Sequence, residues 1–312
     1  MTASASPLDW HIGLVGYGEV GRILAEDLRG RGVTGVVACD LKLGGSEEGP
    51  LREHAARHGV ELASHAALAG GADLILSAVT ASQTVAAAEA CAPAVRRGAW
   101  FLDLNSASPG AKQRAASVID AAGAAYVEGA VMSAVPPHRI RVPLLVGGAR
   151  AAELRPLLGL LGFNAEVASD QLGIASATKM CRSVMVKGLE AMVIEAFTAA
   201  RAYGVEAQVL ASLAESFPGI DWEEQGAYLF QRVILHGRRR AEEMREAAET
   251  VREVGLTPWS ASAAAERQAW VADLADRGDL GARTDPSFGK SDDWRLEADR
   301  ILRAVRGRKP SP

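Results

Sequence analysis

The chain has 312 residues, enough for two domains, and its apolar (48%) and charged (23%) fractions are those of a globular protein. A net charge of −4 leaves no basic footprint for nucleic acid, and no apolar run is long enough to span a bilayer. Three scattered cysteines provide neither a disulfide framework nor a zinc set; Cys39 and Cys91, in apolar segments, read as small core residues. The polar start Met1–Pro7 has no charged n-region and no apolar h-region. The expected setting is the cytoplasm, with no nucleic-acid and no membrane partner.

The first predicted strand, Ile12–Val15, runs into Gly16-Tyr17-Gly18-Glu19-Val20-Gly21 and then a helical pattern to Arg29. In such a G-x-G-x-x-G turn the first glycine makes the tight turn, the second admits a pyrophosphate to the backbone, and the third lets the helix pack on the strand. The free N–H groups and dipole of the helix start bind the phosphates. Asp40 lies nineteen residues past Gly21, at the end of the next strand, Val33–Cys39. A carboxylate there accepts hydrogen bonds from the ribose hydroxyls and repels a 2′-phosphate, which favours NAD; Lys42 partly offsets that repulsion and leaves NADP open. A glycine-rich turn with no ligand is the bland alternative, and the register of strand, helix and acid argues against it.

Strands are predicted next over Leu74–Val79, Trp100–Asp103, Ala125–Glu128, Pro143–Val146 and Ala165–Val167. Helical stretches separate them over Leu51–His58, Ser82–Arg97, Pro109–Ala122 and Ala151–Leu161. This alternation predicts a mostly parallel sheet with helices on both faces. After Asp170 no β-rich run remains. Leu172–Tyr203 reads as one long helix ended by Gly204, followed by helices near 206–217, 222–236, 238–254 and 258–277. The basic tail from Arg306 through Lys309 to Pro312 reads as a frayed, solvated terminus. The fold class is therefore α/β, a Rossmann-type doubly wound domain over 1–169. An all-α domain over 170–312 follows, and the long helix joins the two.

Ligands of this fold sit at the carboxyl ends of the strands. Val79 and Thr80, after one strand, would border the cofactor together with Tyr17, Glu19 and Val20. Asn105, Ser106 and Ser108 follow the next strand; Ser108 with Pro109 is also a natural helix start. The segment Glu128–Val135 is a loop whose small residues leave room for a substrate. At the start of the long helix, Lys179, Arg182 and Ser183 stand at i, i+3 and i+4, with Lys187 and Glu190 continuing the face. A lysine among small apolar residues is either exposed or a desolvated group whose lowered pKa suits proton transfer. His236, Arg239, Arg240 and Glu243 form another one-face cluster, solvated or lining a mouth. His54 and His58 have helical spacing but no third ligand in sequence, so no metal site is expected.

These segments together resemble the β-hydroxyacid dehydrogenases, relatives of 3-hydroxyisobutyrate and 6-phosphogluconate dehydrogenases. The likeness runs through Gly16–Gly21, Asp103–Ser106, Glu128–Ala134 and Gly173–Lys179, in order and at the family's spacing. Met180–Gly188 and His236–Met244 resemble a branch with a phosphogluconate-dehydrogenase-like C-terminal domain. The resemblance implies Lys179 as catalytic acid/base. It departs at the cradle: the family's usual Asp-Ala-Pro-Val-Ser-Gly-Gly is Glu128-Gly129-Ala130-Val131-Met132-Ser133-Ala134 here. Met132 stands where the family's substrate-binding serine stands, with Ser133 one step on, and Arg182 and Ser183 occupy the stretch of the family's asparagine. The expected substrate-binding set is Asn105, Met132, Ser133, Arg182 and Ser183; the cofactor set is Gly16–Gly21, Asp40, Val79, Thr80 and Asn105. The implied activity is oxidation of a small, anionic β-hydroxy acid, or reduction of its carbonyl, by a homodimer. Imine or enamine reduction on the same scaffold, and dinucleotide binding without chemistry, are the alternatives.

Overall fold

The computed structural model describes residues 6–307; the tail residues Arg308 to Pro312 and the first five residues lie outside them. Packing divides the chain between Cys181 and Arg182. That is later than the 169/170 boundary expected from the sequence, because the first turns of the long helix are anchored in the first unit.

In chain order the first unit contains β1 (His11–Val15), α1 (Glu19–Gly30), β2 (Gly35–Cys39), α2 (Glu48–His58), β3 (Glu61–Leu62), α3 (His65–Gly71) and β4 (Leu74–Ser77). There follow α4 (Thr84–Cys91), β5 (Trp100–Asp103), α5 (Pro109–Ala121), β6 (Ala125–Val131), α6 (Val135–His138), β7 (Pro143–Gly147), α7 (Ala151–Leu160), β8 (Asn164–Ser169) and the start of α8 (Ile174–Tyr203). The eight strands form one sheet in the order β3-β2-β1-β4-β5-β6-β7-β8. All neighbours are parallel except β6 and β7.

Side-chain alternation along the strands splits the interior in two. Ile12, Leu14, Leu74, Leu76 and Leu102 point into a core covered by α1, α2 and α7. Val15, Ile75 and Phe101 point into the opposite core under α3, α4 and α5. A strand buried on both faces reads as an uninterrupted apolar run, which is why β4 and β5 were visible in the sequence. The two-residue β3 was not, being too short for any periodicity. β6 runs three residues beyond the predicted Glu128 because β7 returns antiparallel and pairs with Gly129, Ala130 and Val131. The first half of the expected small-residue loop, Glu128–Val131, is thus strand, and Met132–Ala134 remain outside it. α4 ends at Cys91, short of the predicted Arg97; Pro93, just beyond, has no N–H to continue the ladder.

The described residues of the second unit form helices and connecting loops, with no strand: the rest of α8, then α9 (Glu206–Ser216), α10 (Trp222–Glu253), α11 (Trp259–Asp276) and α12 (Trp294–Arg306). The two helices expected over 222–236 and 238–254 are one, α10. Gly237 is no break: a Cβ there would meet the Gln268 carbonyl oxygen at 2.8 Å and Ala272 Cβ at 3.3 Å, so glycine is what lets α11 approach α10. α12 was not predicted; Asp293 caps it, and Trp294, Ala298 and Ile301 bury its apolar face. Among the described residues no helix is long and apolar enough to cross a membrane.

Candidate active site in the first unit

The chain builds β1, β2 and β3 in one direction and returns to place β4 on the other side of β1. That reversal opens a crevice at the carboxyl ends of β1 and β4. The glycine turn lies there, and its three glycines meet three different surroundings. Gly16 has φ +93°, and a Cβ on it would strike the Ala78 carbonyl oxygen at 2.5 Å. Gly21 packs so closely that a Cβ would lie 2.1 Å from the Gly16 carbonyl oxygen. Gly18 is exposed with open space where its Cβ would be. It also sits at the N-cap of α1 with no side chain capping the first turn. Two glycines hold the turn and the third leaves the helix start open to an anion, so the residues present fit a dinucleotide pyrophosphate.

Asp40 follows β2 and braces this turn. Its carboxylate accepts hydrogen bonds from Tyr17 N (2.7 Å) and Lys42 N (2.9 Å). The Lys42 ammonium pairs with Glu47. Glu19 is exposed and Val20 half-buried on the first turn of α1. Tyr17 is buried, and its hydroxyl bonds to His54 Nδ1 (2.9 Å); burial pushes the phenol pKa up to about 12, so it stays protonated. His54 Nε2 in turn meets Glu26 (2.9 Å), whose carboxylate also takes Arg139 (2.6 Å). Glu26 is the third potential ligand that sequence spacing did not supply for His54 and His58. Both ring nitrogens of His54 are engaged in bracing the turn.

On the other side of the crevice, Asn105 is buried and faces the end of β4. Its Oδ1 accepts from Val79 N (2.7 Å) and its Nδ2 donates to Ser77 Oγ (3.0 Å). It stitches two strand ends together, a different use from the ligand contact expected of it. Beneath it lies a group the sequence reading missed. Asp103, Lys112 and Tyr126 are buried; Asp103 takes the Lys112 ammonium (2.9 Å), the Tyr126 hydroxyl (2.6 Å) and the Asn105 N–H (2.9 Å). Burial and the adjacent Asp103 carboxylate raise the Tyr126 pKa well above its usual value and keep it a donor. Breaking such a buried pair costs about 3–5 kcal/mol, so the loop carrying Asn105 and Ser106 is held firmly. Thr80 is exposed and Val79 half-buried beside it.

Lys179 reaches this loop: its Nζ lies 2.5 Å from Ser106 Oγ. The start of its helix is pinned by Glu128, fully buried at the end of the β5–β6 parallel pairing. Glu128 accepts from Gly173 N (2.7 Å), Ala175 N (3.1 Å), Ser176 N (3.2 Å) and Ser176 Oγ (2.7 Å). A carboxylate on the open N–H groups of a helix start stabilises it through both hydrogen bonds and the dipole. Met132, half-buried, and Ser133, exposed, follow β6.

Residues 11–167, half of the chain, match the NAD binding domain of 6-phosphogluconate dehydrogenase. The chain belongs to that family. Residues 200–271 of this family member match a domain of unknown function, DUF1932. A conserved hypothetical protein from Sinorhizobium meliloti is 39% identical over 94% of this chain and 95% of its own, with a TM-score of 0.72. MTH1747, a conserved protein of unknown function described as structurally similar to 3-hydroxyacid dehydrogenases, is 31% identical over 85% of this chain and 98% of its own, TM-score 0.64. The 3-hydroxyisobutyrate dehydrogenase of Mycobacterium tuberculosis, solved with L-serine, shares the fold at 19% identity, 94% and 99% coverage and TM-score 0.68. The cofactor of this NAD-binding, hydroxyacid dehydrogenase-like family member is thus a nicotinamide dinucleotide.

Further along α8 the family member departs from its expected geometry. Arg182 is exposed and makes no ion pair among the described residues, whereas Ser183 is buried, so the two do not share a face. Ser183 Oγ accepts from the Lys187 ammonium (3.3 Å). Lys187 and Glu190 are buried against α10, paired with Glu243 (2.6 Å) and Arg240 (3.1 Å). The His236–Glu243 face is thus partly interior, not simply solvated.

Proposed function

We propose that this protein is an NAD-dependent oxidoreductase that oxidises a small β-hydroxy acid, or reduces the corresponding carbonyl, with Lys179 as general acid/base. The observation that carries this reading is the Lys179 ammonium beside Ser106 at the carboxyl edge of the sheet, on a helix start anchored by Glu128. When bound, the nicotinamide supplies the hydride-accepting carbon. On oxidation Lys179 acts as the neutral amine, its Nζ taking the proton of the substrate hydroxyl to become the ammonium; on reduction the ammonium returns that proton, and help of this kind is worth about 10²- to 10⁴-fold. Ser106 Oγ orients the ammonium, and Asn105 holds the loop that carries Ser106. Met132 and Ser133, which follow β6, remain the residues assigned to substrate selection, with an acid as substrate. L-serine, held by the Mycobacterium relative, is itself a β-hydroxy acid, which favours that class.

NAD is favoured over NADP. The Asp40 carboxylate repels a 2′-phosphate, and Lys42, which would offset it, is drawn to Glu47. We also propose a homodimer: Met185 and Met192, two turns apart on α8, are 75% and 61% exposed, apolar surface that a second copy would cover. Light scattering showing a monomer at working concentration contradicts the dimer, and tighter binding of NADPH than NADH contradicts the cofactor preference.

The activity is tested by following nicotinamide absorbance at 340 nm across a panel of β-hydroxy acids and, separately, cyclic imines. Reduction of NAD by at least one hydroxy acid is expected. Turnover of imines alone, or tight NADH binding with no turnover on any compound, contradicts it.

A further inference from the structure

Within the second unit α10 presents Arg232, His236, Arg239, Arg240 and Glu243 at i, i+4, i+7, i+8 and i+11, one face of the helix. Lys187 and Glu190 of α8 and Gln268 of α11 meet this face. Four cations, Lys187, Arg232, Arg239 and Arg240, gather around two carboxylates, Glu190 and Glu243. Both carboxylates are already spoken for: Glu243 by Lys187 (2.6 Å) and Arg239 (3.0 Å), Glu190 by Arg240 (3.1 Å) and Gln268 (3.3 Å). Arg232 has no acidic partner among the described residues; its guanidinium lies 6.0 Å from the Tyr228 ring centroid.

The cluster grades from interior to surface. Arg240, Lys187 and Glu190 are buried, Arg232 and His236 half-buried and Arg239 exposed. Two guanidinium donors, Nε of Arg232 and Nε of Arg240, are shielded from solvent with no hydrogen-bond partner. An orphaned buried donor costs about 1–3 kcal/mol, more when charged, and an excess of buried positive charge adds to it. A negative ligand with several acceptor oxygens removes both penalties at once, and guanidinium pairs suit carboxylate and phosphate geometry.

We infer that the helical unit binds a small oxyanion, a carboxylate or a phosphate, at His236 between Arg232 on the turn before it and Arg239 and Arg240 on the turn after. The imidazole is the neutral member of the site: burial first, then the three arginines, lower its pKa to about 4. At neutral pH it contributes one hydrogen bond while the guanidinium groups contribute the charge. This site does not depend on the redox reading above and adds a binding function to the helical unit.

The test is calorimetric titration of the full chain at low salt, without nucleotide, with inorganic phosphate in one arm and malonate in the other. Saturable binding of at least one anion is expected, weakening as salt rises; phosphate alone marks a phosphoryl ligand and malonate alone a carboxylate. Arg232→Gln is the decisive variant because it breaks no ion pair; its affinity should fall about tenfold or more with the unfolding midpoint not lowered. Arg240→Gln leaves Glu190 without its guanidinium and serves only beside a circular-dichroism check of folding. Lys179→Ala should bind the anion like the wild type, which separates this site from catalysis. Absence of binding in both arms, or equal binding by Arg232→Gln, overturns the inference.

Discussion

At the residue scale, three glycines of one motif do different work, and substitution separates them. A methyl group on Gly18 enters open space, so Gly18→Ala should fold with an unchanged melting temperature while dinucleotide affinity falls at least tenfold, read by fluorescence titration with NADH. Gly16→Ala and Gly21→Ala put the same methyl against backbone oxygens at 2.5 and 2.1 Å, and their loss should appear in stability. Equal melting temperatures for all three contradict this division. These positions were readable from sequence because the requirement is local. Asn105 was not fully readable: its type and place were found, but its use as a stitch to Ser77 and Val79 depends on strands twenty-six and more residues away in sequence.

At the element scale, α8 holds Lys179 in place because Glu128 caps its first turn. Glu128→Gln keeps the shape but turns an amide N–H toward donors from Gly173 to Ser176. The expected loss is about 2–3 kcal/mol, seen as a fall of several degrees in unfolding temperature. Turnover should fall as Lys179 loses its fixed position, while NADH affinity is retained. Unchanged stability contradicts the cap. Sequence periodicity found α8 but not its cap, since Glu128 and Gly173 are forty-five residues apart. The same limit explains Gly237, which propensity reads as a helix break and packing against Gln268 turns into a contact. The Asp103–Lys112–Tyr126 group was missed for that reason too: a buried lysine looks like any other until its partners are brought beside it.

At the scale of the whole molecule, the alternation of strands and helices and its end near Asp170 were enough to find both architectures. The polar interior of the helical unit was not visible, because Lys187, Glu190, Arg240 and Glu243 form a network only when α8 and α10 are side by side. That interior carries a pH signature. His236 has a folded-state pKa of about 4, below its ordinary 6.5, from burial and from Arg232, Arg239 and Arg240. Its folded form resists protonation while the unfolded chain accepts the proton, so this group removes stability as pH falls from 6.5 toward 4. Melting curves across that range should therefore drop less steeply for His236→Gln than for the wild type; parallel curves contradict it. In the other unit, Lys179 is proposed to perform the proton transfer. The most direct measurement is Lys179→Ala, with turnover and NADH dissociation constant determined separately. Turnover lowered about 10²- to 10⁴-fold with the dissociation constant unchanged is expected; unchanged turnover would contradict the role of Lys179.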